Sequence, residues 1–267
     1  MISYFRLFDK YVSVSKVSIN NTFVYAGEIA YRCTFMMVIL YVFTQLWGAA
    51  YTGNEVIAGF TYTQVIWYLV ITETLLLSKI AIGQTVSNEV ISGSLAYTLG
   101  KPYHYMVYNF FQGLGDSIVR LCINFLGGSL LAVLLVGAFP GDFWVIIPVL
   151  LTVLFAILID FFISAVIGLM AFFTEDVSGF FFIYQKILFI FGGLLIPLDF
   201  FPSWLKTISE ALPFHLILYG PAKLFVDFSW ALFTSTVLQQ LIWVLGLGLL
   251  LEVLYRIGGK KVVTNGG

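Results

Sequence analysis

Apolar residues gather in six long blocks, separated by short stretches that are polar or rich in glycine and proline. The blocks fall at about Ile29–Trp47, Gln64–Ile82, Ser117–Leu135, Val145–Ala171, Phe180–Leu198 and Val237–Leu254. Each is long enough for the ~20 residues of helix that cross a ~30 Å hydrocarbon core. The fourth exceeds that length, as a tilted helix does. Ahead of the first block, residues 1–21 carry a different rhythm. Phe5, Phe8 and Val12 are spaced for one helical face, with Arg6, Asp9, Lys10, Ser13 and Lys16 on the other, which predicts an amphipathic helix lying in the membrane interface. Such a helix either leans on a partner or anchors the chain to the surface.

Residues 199–236 break the pattern again. Pro202, Pro213 and Pro221 cut this stretch, and Pro197 precedes it. Phe200, Trp204, Ile208 and Leu212 recur every fourth residue, while Lys206, Ser209 and Glu210 point elsewhere. Pro202 followed by Ser203 and Trp204 is a helix start. The segment is too polar to cross a bilayer and too apolar for a free loop, so it reads as short helices that dip back between spans five and six. The pattern as a whole predicts an all-α polytopic membrane protein with six transmembrane helices. Without an internal repeat or low-complexity linker, residues 1–267 form a single membrane domain.

Composition agrees. The chain is 60% hydrophobic and only 10% charged, against about 25% charged in soluble domains. Its fifteen Tyr and six Trp suit a chain that crosses the headgroup region repeatedly. A net charge of −1 argues against a nucleic-acid surface. Cys33 and Cys122 both lie in apolar runs, which indicates neither a disulfide framework nor a zinc site. The charged start, MISYFRLFDKYVSVSKVS, lacks an apolar core, so the first span is expected to serve as its own uncleaved insertion signal.

Charge also orients the chain. Eleven of the thirteen Lys and Arg residues fall on one side of the predicted spans, leaving only Lys206 and Lys223 on the other. The positive-inside rule then places both termini in the cytoplasm. Residues 87–105 become a cytoplasmic loop and 199–236 an external one.

Most catalytic chemistry is excluded. A phosphate-cradling loop needs G-x-x-x-x-G-K-[ST]. Gly100-Lys101 is followed by Pro102, and Gly259-Lys260 by Lys261, so the chain has no ATP-binding motif of its own. His104 and His215 lie on opposite sides of the predicted membrane and cannot share a metal. Neither G-x-S-x-G nor H-E-x-x-H occurs. Among charges inside spans, Glu28 and Arg32, and Asp116 and Arg120, are four apart and read as intrahelical pairs. Glu73 and Asp160 lie deeper, with no partner evident from spacing, and are the candidate intramembrane polar residues.

The loop SNEVISGSLAYTLGKPYHY carries a docking pattern. Ser87 or Asn88 caps a short helix through Glu89, Val90 and Ile91, Gly93 ends it, and Lys101-Pro102 closes an extended piece. The run EVISGSLAYTLGKP resembles the E-x-x-x-G-x-L-x-x-x-L-x-(K/R)-P loop of type-2 ABC exporter permeases, through Glu89, Gly93, Leu95, Leu99, Lys101 and Pro102. It departs from that pattern at Ser94, where a basic residue is common. The stretch GGLLIPLDFFPSWLKTISEALPF, followed by YGPAKLF, resembles the region after span five of the same family.

This resemblance implies a permease of the bacterial cytoplasmic membrane, moving hydrophobic or amphipathic cargo outward. ATP and Mg would be bound by a separate cytoplasmic P-loop ATPase. The Glu89–Pro102 loop would be the coupling helix in a groove of that ATPase, and the Phe5, Phe8, Val12 helix would touch it as well. A second permease, identical or a sister, would complete the path. Spans one, two and five line the dimer interface in such proteins, which makes Phe43, Trp47, Trp67 and Phe189 candidates to meet cargo; the alternative is that they face lipid. Two other readings stand beside this one: a proton- or ion-coupled secondary transporter using Glu73 and Asp160, and a non-transporting membrane assembly subunit.

Overall fold

The computed structural model describes residues 2–265 apart from Pro102, Pro140 and Glu175, and the side chains within them except those of residues 2–8, Ala26, Leu99 and 260–265. The described residues are mostly helical, with one short hairpin among them in which Val56 pairs with Thr61 and Ile57 with Phe60. The helices are α1 (Ile2–Val24), α2 (Ala26–Ala50), α3 (Tyr62–Leu77), α4 (Ile82–Ile91), α5 (Leu95–Leu99), α6 (Tyr105–Val136), α7 (Ile146–Leu169), α8 (Ser178–Phe191), α9 (Ser203–Ala211), α10 (Tyr219–Val226) and α11 (Trp230–Asn265). Among the described residues, five stretches are long and apolar enough to cross a membrane: Gly27–Ala50, Tyr62–Ile91, Tyr105–Val136, Phe143–Phe172 and Trp230–Gly259.

Helix α3 is the axis of the bundle. Every residue from Val65 to Leu75 is buried, which suits a helix that is apolar all round. Its start is a capping box: the Gln64 amide N–H reaches the Thr61 hydroxyl at 3.3 Å, and the Thr61 N–H donates to Gln64 Oε1 at 2.9 Å. The T-x-x-Q spacing is the sequence signature of that cap. A main core surrounds α3 with residues of α2, α7, α8 and α10. A second, smaller core gathers Val86, Leu95, Tyr105, Phe161, Leu169 and Leu251 below it.

The two ends of the bundle differ in content. One collects α1, the α4–α5 loop and the C-terminal part of α11, since His104 reaches Glu252 at 3.4 Å and the Tyr105 ring stacks on Tyr255. The other holds the hairpin, α9, α10 and the start of α11, where Trp144 stacks on Trp230 at 5.9 Å.

Three sequence expectations change. The predicted second span, Gln64–Ile82, is interrupted: α3 ends at Leu77 and α4 restarts at Ile82. The predicted fifth span, Phe180–Leu198, yields a helix of 14 residues only. It stops in a Schellman motif, with Leu194 N–H bonded to Phe189 O (3.3 Å) and Gly193 N–H to Ile190 O (3.1 Å). Gly193 has φ +68°, a conformation that only glycine adopts cheaply.

The third change concerns α9. It forms after Pro202 as expected, but Trp204 is 64% and Ile208 45% exposed, while Ser209 is fully buried. Of the face predicted from four-residue spacing, Trp204 and Ile208 thus point outward while Phe200 and Leu212 are half-buried, and Ser209 is accommodated by donating to Leu205 O at 2.8 Å.

Candidate functional site

The interruption of the second span needs neither proline nor glycine. It is held by partners on neighbouring helices. Ser117 Oγ donates to the Ser78 carbonyl at 2.6 Å, and Asn124 Nδ2 donates to Ser78 Oγ at 3.2 Å. One residue on, Lys79 Nζ lies 2.7 Å from Asp160 Oδ1, and the Tyr184 hydroxyl donates to the same oxygen. The ammonium also sits 4.5 Å from the Tyr184 ring centroid. A backbone released from the helix ladder must find other partners when buried, and here α6 supplies them. Asp160, which spacing left alone, is thus paired with Lys79 across 81 positions of sequence. Glu73 keeps its isolation: it is 2% exposed and has no hydrogen bond or ion pair among the described residues.

From the break, α4 runs to the elbow. Gly93 there has φ +72°, allowing the chain to reverse into α5. Ser87 and Asn88 do not cap a helix but lie within α4, and the expected extended piece is the helix Leu95–Leu99. The predicted docking residues divide into two groups. Leu95 is 1% exposed and packs in the second core, which anchors the elbow; Glu89 is half-buried near Tyr105, its Oε2 shut off from solvent without a hydrogen-bond partner. Outward, the apolar side chains are Ile91, 59% exposed, and Tyr97, 84% exposed. Lys101 is exposed, 5.9 Å from the Tyr103 ring. Pro102 and the Leu99 side chain lie outside the described residues.

The described part of the N-terminal helix packs on α6 through Tyr11, Ser15 and Thr22. Phe5 and Phe8 lie outside the described side chains, and Val12 is half-buried. The contact with α6 runs along Tyr11, which stacks on Phe111 at 5.5 Å, then Ser15, which donates to Phe111 O at 2.5 Å, then Thr22, which donates to Asp116 Oδ1 at 3.1 Å. Between α1, α2, α4 and α6 lies a cavity of about 640 Å³, reached by Lys10, Glu28, Arg32, Asp116 and Arg120. A second, of about 410 Å³, adjoins it and shares Arg32, Ile80, Ala81 and Arg120. The expected local pairs are present: Arg32 with Glu28 at 2.7 Å, and Arg120 with Asp116.

The candidate cargo-facing aromatics separate as well. Trp67 is 3% exposed, its ring 5.5 Å from Phe139 and 6.1 Å from Phe225; it faces the core rather than lipid or a path. Trp47 packs edge-on against Phe200 at 5.0 Å. Phe43 is half-buried, and Phe189 is 41% exposed on α8.

At the opposite end, Asp199 gathers three partners. Lys206 Nζ lies at 2.8 Å, the Tyr219 hydroxyl donates at 2.9 Å, and Lys223 stands 3.7 Å away. Burial pushes the Asp199 carboxyl up, but the Lys206 hydrogen bond, the Lys223 charge and the Tyr219 hydrogen bond outweigh it and hold the group below its ordinary range. Sequence reasoning missed this network; its signal was the only two basic residues on the predicted external side.

A helical bundle with five apolar spans, one of them broken beside a buried ion pair, defines a multi-pass membrane protein. The chain belongs to the ABC-2 family: the family described as ABC-2 family transporter protein matches residues 16–266. It is therefore a membrane subunit of an ABC transporter, and membership implies a partner ATPase. No curated protein matches the sequence.

Proposed function

We propose that this chain is the permease of an ABC exporter of the bacterial cytoplasmic membrane. It moves a hydrophobic or amphipathic cargo outward, while a separate P-loop ATPase binds Mg and hydrolyses ATP. A second permease, a copy or a sister, completes the path. The observation that carries this reading is the elbow at Gly93, which Leu95 holds to the bundle while Ile91 and Tyr97 face out. Exposed apolar side chains on a rigid turn suit a partner groove.

The reading includes six crossings within one membrane domain. A 14-residue helix is about 21 Å long, short of the ~30 Å core. Residues 192–198 complete the fifth crossing, because irregular backbone at membrane depth is tolerated where protein covers it, and Leu194 and Leu198 are fully buried. Helices α9 and α10 then form the external re-entrant region. An even number of crossings puts both termini on the cytoplasmic side, in keeping with α1, the elbow and the end of α11 sharing one end of the bundle.

The test is purification of the tagged chain from its host. Stoichiometric recovery of a P-loop ATPase supports the reading, and recovery of the chain alone sinks it. In the purified complex, Ile91→Asp with Tyr97→Asp is expected to release the ATPase, or to lower transport-linked hydrolysis at least ~10-fold, the loss of about 1.4 kcal/mol of coupling. The fold should remain intact.

A further inference from the structure

The 410 Å³ cavity has a composition that the permease reading does not explain. Arg32, Lys79 and Arg120 line it, and among the described residues no Asp or Glu does. Each cation keeps its carboxylate on another side. Glu28 and Asp116 border the adjoining cavity, and Asp160 borders neither, lying beneath Lys79 and Tyr184. Arg120 holds Asp116 through Nη2, while its buried Nε–H has no partner. The first turn of α4 forms part of the same wall through Ala81, Gly83 and Gln84, and no side chain caps that helix start. Free N–H groups at a helix start favour negative charge, adding to the three cations.

The rest of the lining is mixed: Ser164, Tyr184 and Gln185 are polar, and an apolar strip runs beside them. Leu76, Leu77, Leu188 and Phe189 form that strip, and Phe189, 41% exposed, belongs to the outward apolar face of α8 with Ile190. The chamber therefore has a cationic floor and a hydrocarbon side at a part of the bundle that meets the bilayer. Cations in or near a membrane need compensating charge, and each of these three has a single carboxylate partner, turned away from the chamber.

The geometry points to a binding site for an anionic amphiphile: a phosphate, sulfate or carboxylate headgroup on Arg32, Lys79 and Arg120, with its chain along Leu76, Leu188 and Phe189. That such a molecule is cargo rests on the permease reading; that it binds does not.

The experiment uses the full-length chain with any co-purifying ATPase, in neutral maltoside detergent, titrated with dodecyl phosphate, inorganic phosphate and dodecanol. Dodecyl phosphate is expected to bind best. Arg32→Gln and Arg120→Gln should each weaken it about tenfold, as loss of a charge-assisted hydrogen bond does. Arg120→Lys, which keeps the charge but not the Nε–H donor, should weaken binding less than Arg120→Gln does, and Arg256→Gln on the far end of α11 should leave it unchanged. Equal binding of inorganic phosphate overturns the hydrocarbon half and leaves a free-anion site. Equal binding of dodecanol, or indifference to both Gln variants, overturns the anion half. In nanodiscs, phosphatidylglycerol should compete and phosphatidylcholine should not; equal competition by both overturns the headgroup charge as the determinant. Loss of the ATPase on purification with these binding results intact would remove the permease reading and not the site.

Discussion

The two ends of this bundle hold their charges in different ways. Around Asp199, partners come from different elements: Lys206 from α9, Tyr219 and Lys223 from α10. Tyr68 of α3 donates to the Gly193 carbonyl, Thr72 donates to Leu194 O at 2.8 Å, and Gln240 of α11 donates to both Thr152 O and Leu216 O at 2.9 and 3.0 Å. Around the elbow, most ion pairs close within one helix, four residues apart: Glu28–Arg32, Asp116–Arg120 and Glu252–Arg256. That end also carries both cavities. A pair within one helix travels with it and does not resist separation from a neighbour, whereas a pair between helices must break. By its ion pairs the Asp199 end is the more cross-tied, although Lys206–Glu210 and Lys223–Asp227 there also close within one helix, while the elbow end is tied between helices chiefly by hydrogen bonds such as Ser15 to Phe111 O, Thr22 to Asp116 and Ser117 to Ser78 O. Two ion pairs on the hollow side run between elements, His104–Glu252 and, the exception among the buried charges, Lys79–Asp160.

That exception gives the largest expected effect. Lys79→Met leaves Asp160, 4% exposed, as an uncompensated buried charge, and should destabilise the protein by ~3–5 kcal/mol. Thermal unfolding in detergent measures it. Lys79→Met with Asp160→Leu should recover most of the loss; a double variant as unstable as the single one would show that the pair is not what holds the break. Next, Gly193→Ala tests the Asp199 end. A side chain at φ +68° costs ~1–2 kcal/mol, and its Cβ would stand 2.9 Å from the Tyr68 hydroxyl. The Schellman stop should loosen, raising hydrogen exchange at residues 192–198 before that of the elbow.

A smaller effect follows from acid. Burial pushes the His215 imidazole below its ordinary value, against hydrogen bonds to Leu212 O and Gln239. The unfolded chain then takes up a proton that the folded one resists. Stability at this end should fall as pH drops below ~6.5, and His215→Gln should flatten that part of the profile. An unchanged profile in the variant would assign the acid response elsewhere. Smallest in stability is the elbow surface. Tyr97→Asp should shift unfolding by no more than ~0.5 kcal/mol, although together with Ile91→Asp it is expected to uncouple the ATPase. Glu73→Gln serves as the control between mechanisms: transport within about twofold of the parent fits an ATP-driven permease, and its loss would favour an ion-coupled path through that carboxylate.

Much of this architecture was legible because its signals are local. Runs of apolar residues mark the five long helices, Pro202-Ser203 marks α9, and the charge pairs four apart appear in the structure as spaced. The Gly192-Gly193 stop was also written in the chain, but the apolar residues beyond it masked the stop. The break at Ser78–Ala81 had no local signal. Its causes are Ser117, Asn124 and Asp160, brought in from two other helices, so only the assembled bundle contains the reason. The same holds for Leu95: docking patterns name the residue, yet its burial under Tyr105 and Leu251 depends on packing between distant segments. The cationic chamber is of this kind as well, since its three bases come from α2, α6 and the break.

The broken second span makes α4 a lever. Its near end is clamped: a Cβ on Gly83 would stand 2.4 Å from both the Phe181 ring and the Ser164 carbonyl, so that end acts as a fulcrum. Ten residues give an arm of about 15 Å. A tilt of about 10° therefore carries Ile91 through about 2–3 Å, while Lys79, beside the fulcrum, hardly moves. Force applied at the elbow would reach the fulcrum as torque, and the four residues between the helices are where the backbone is free to absorb it.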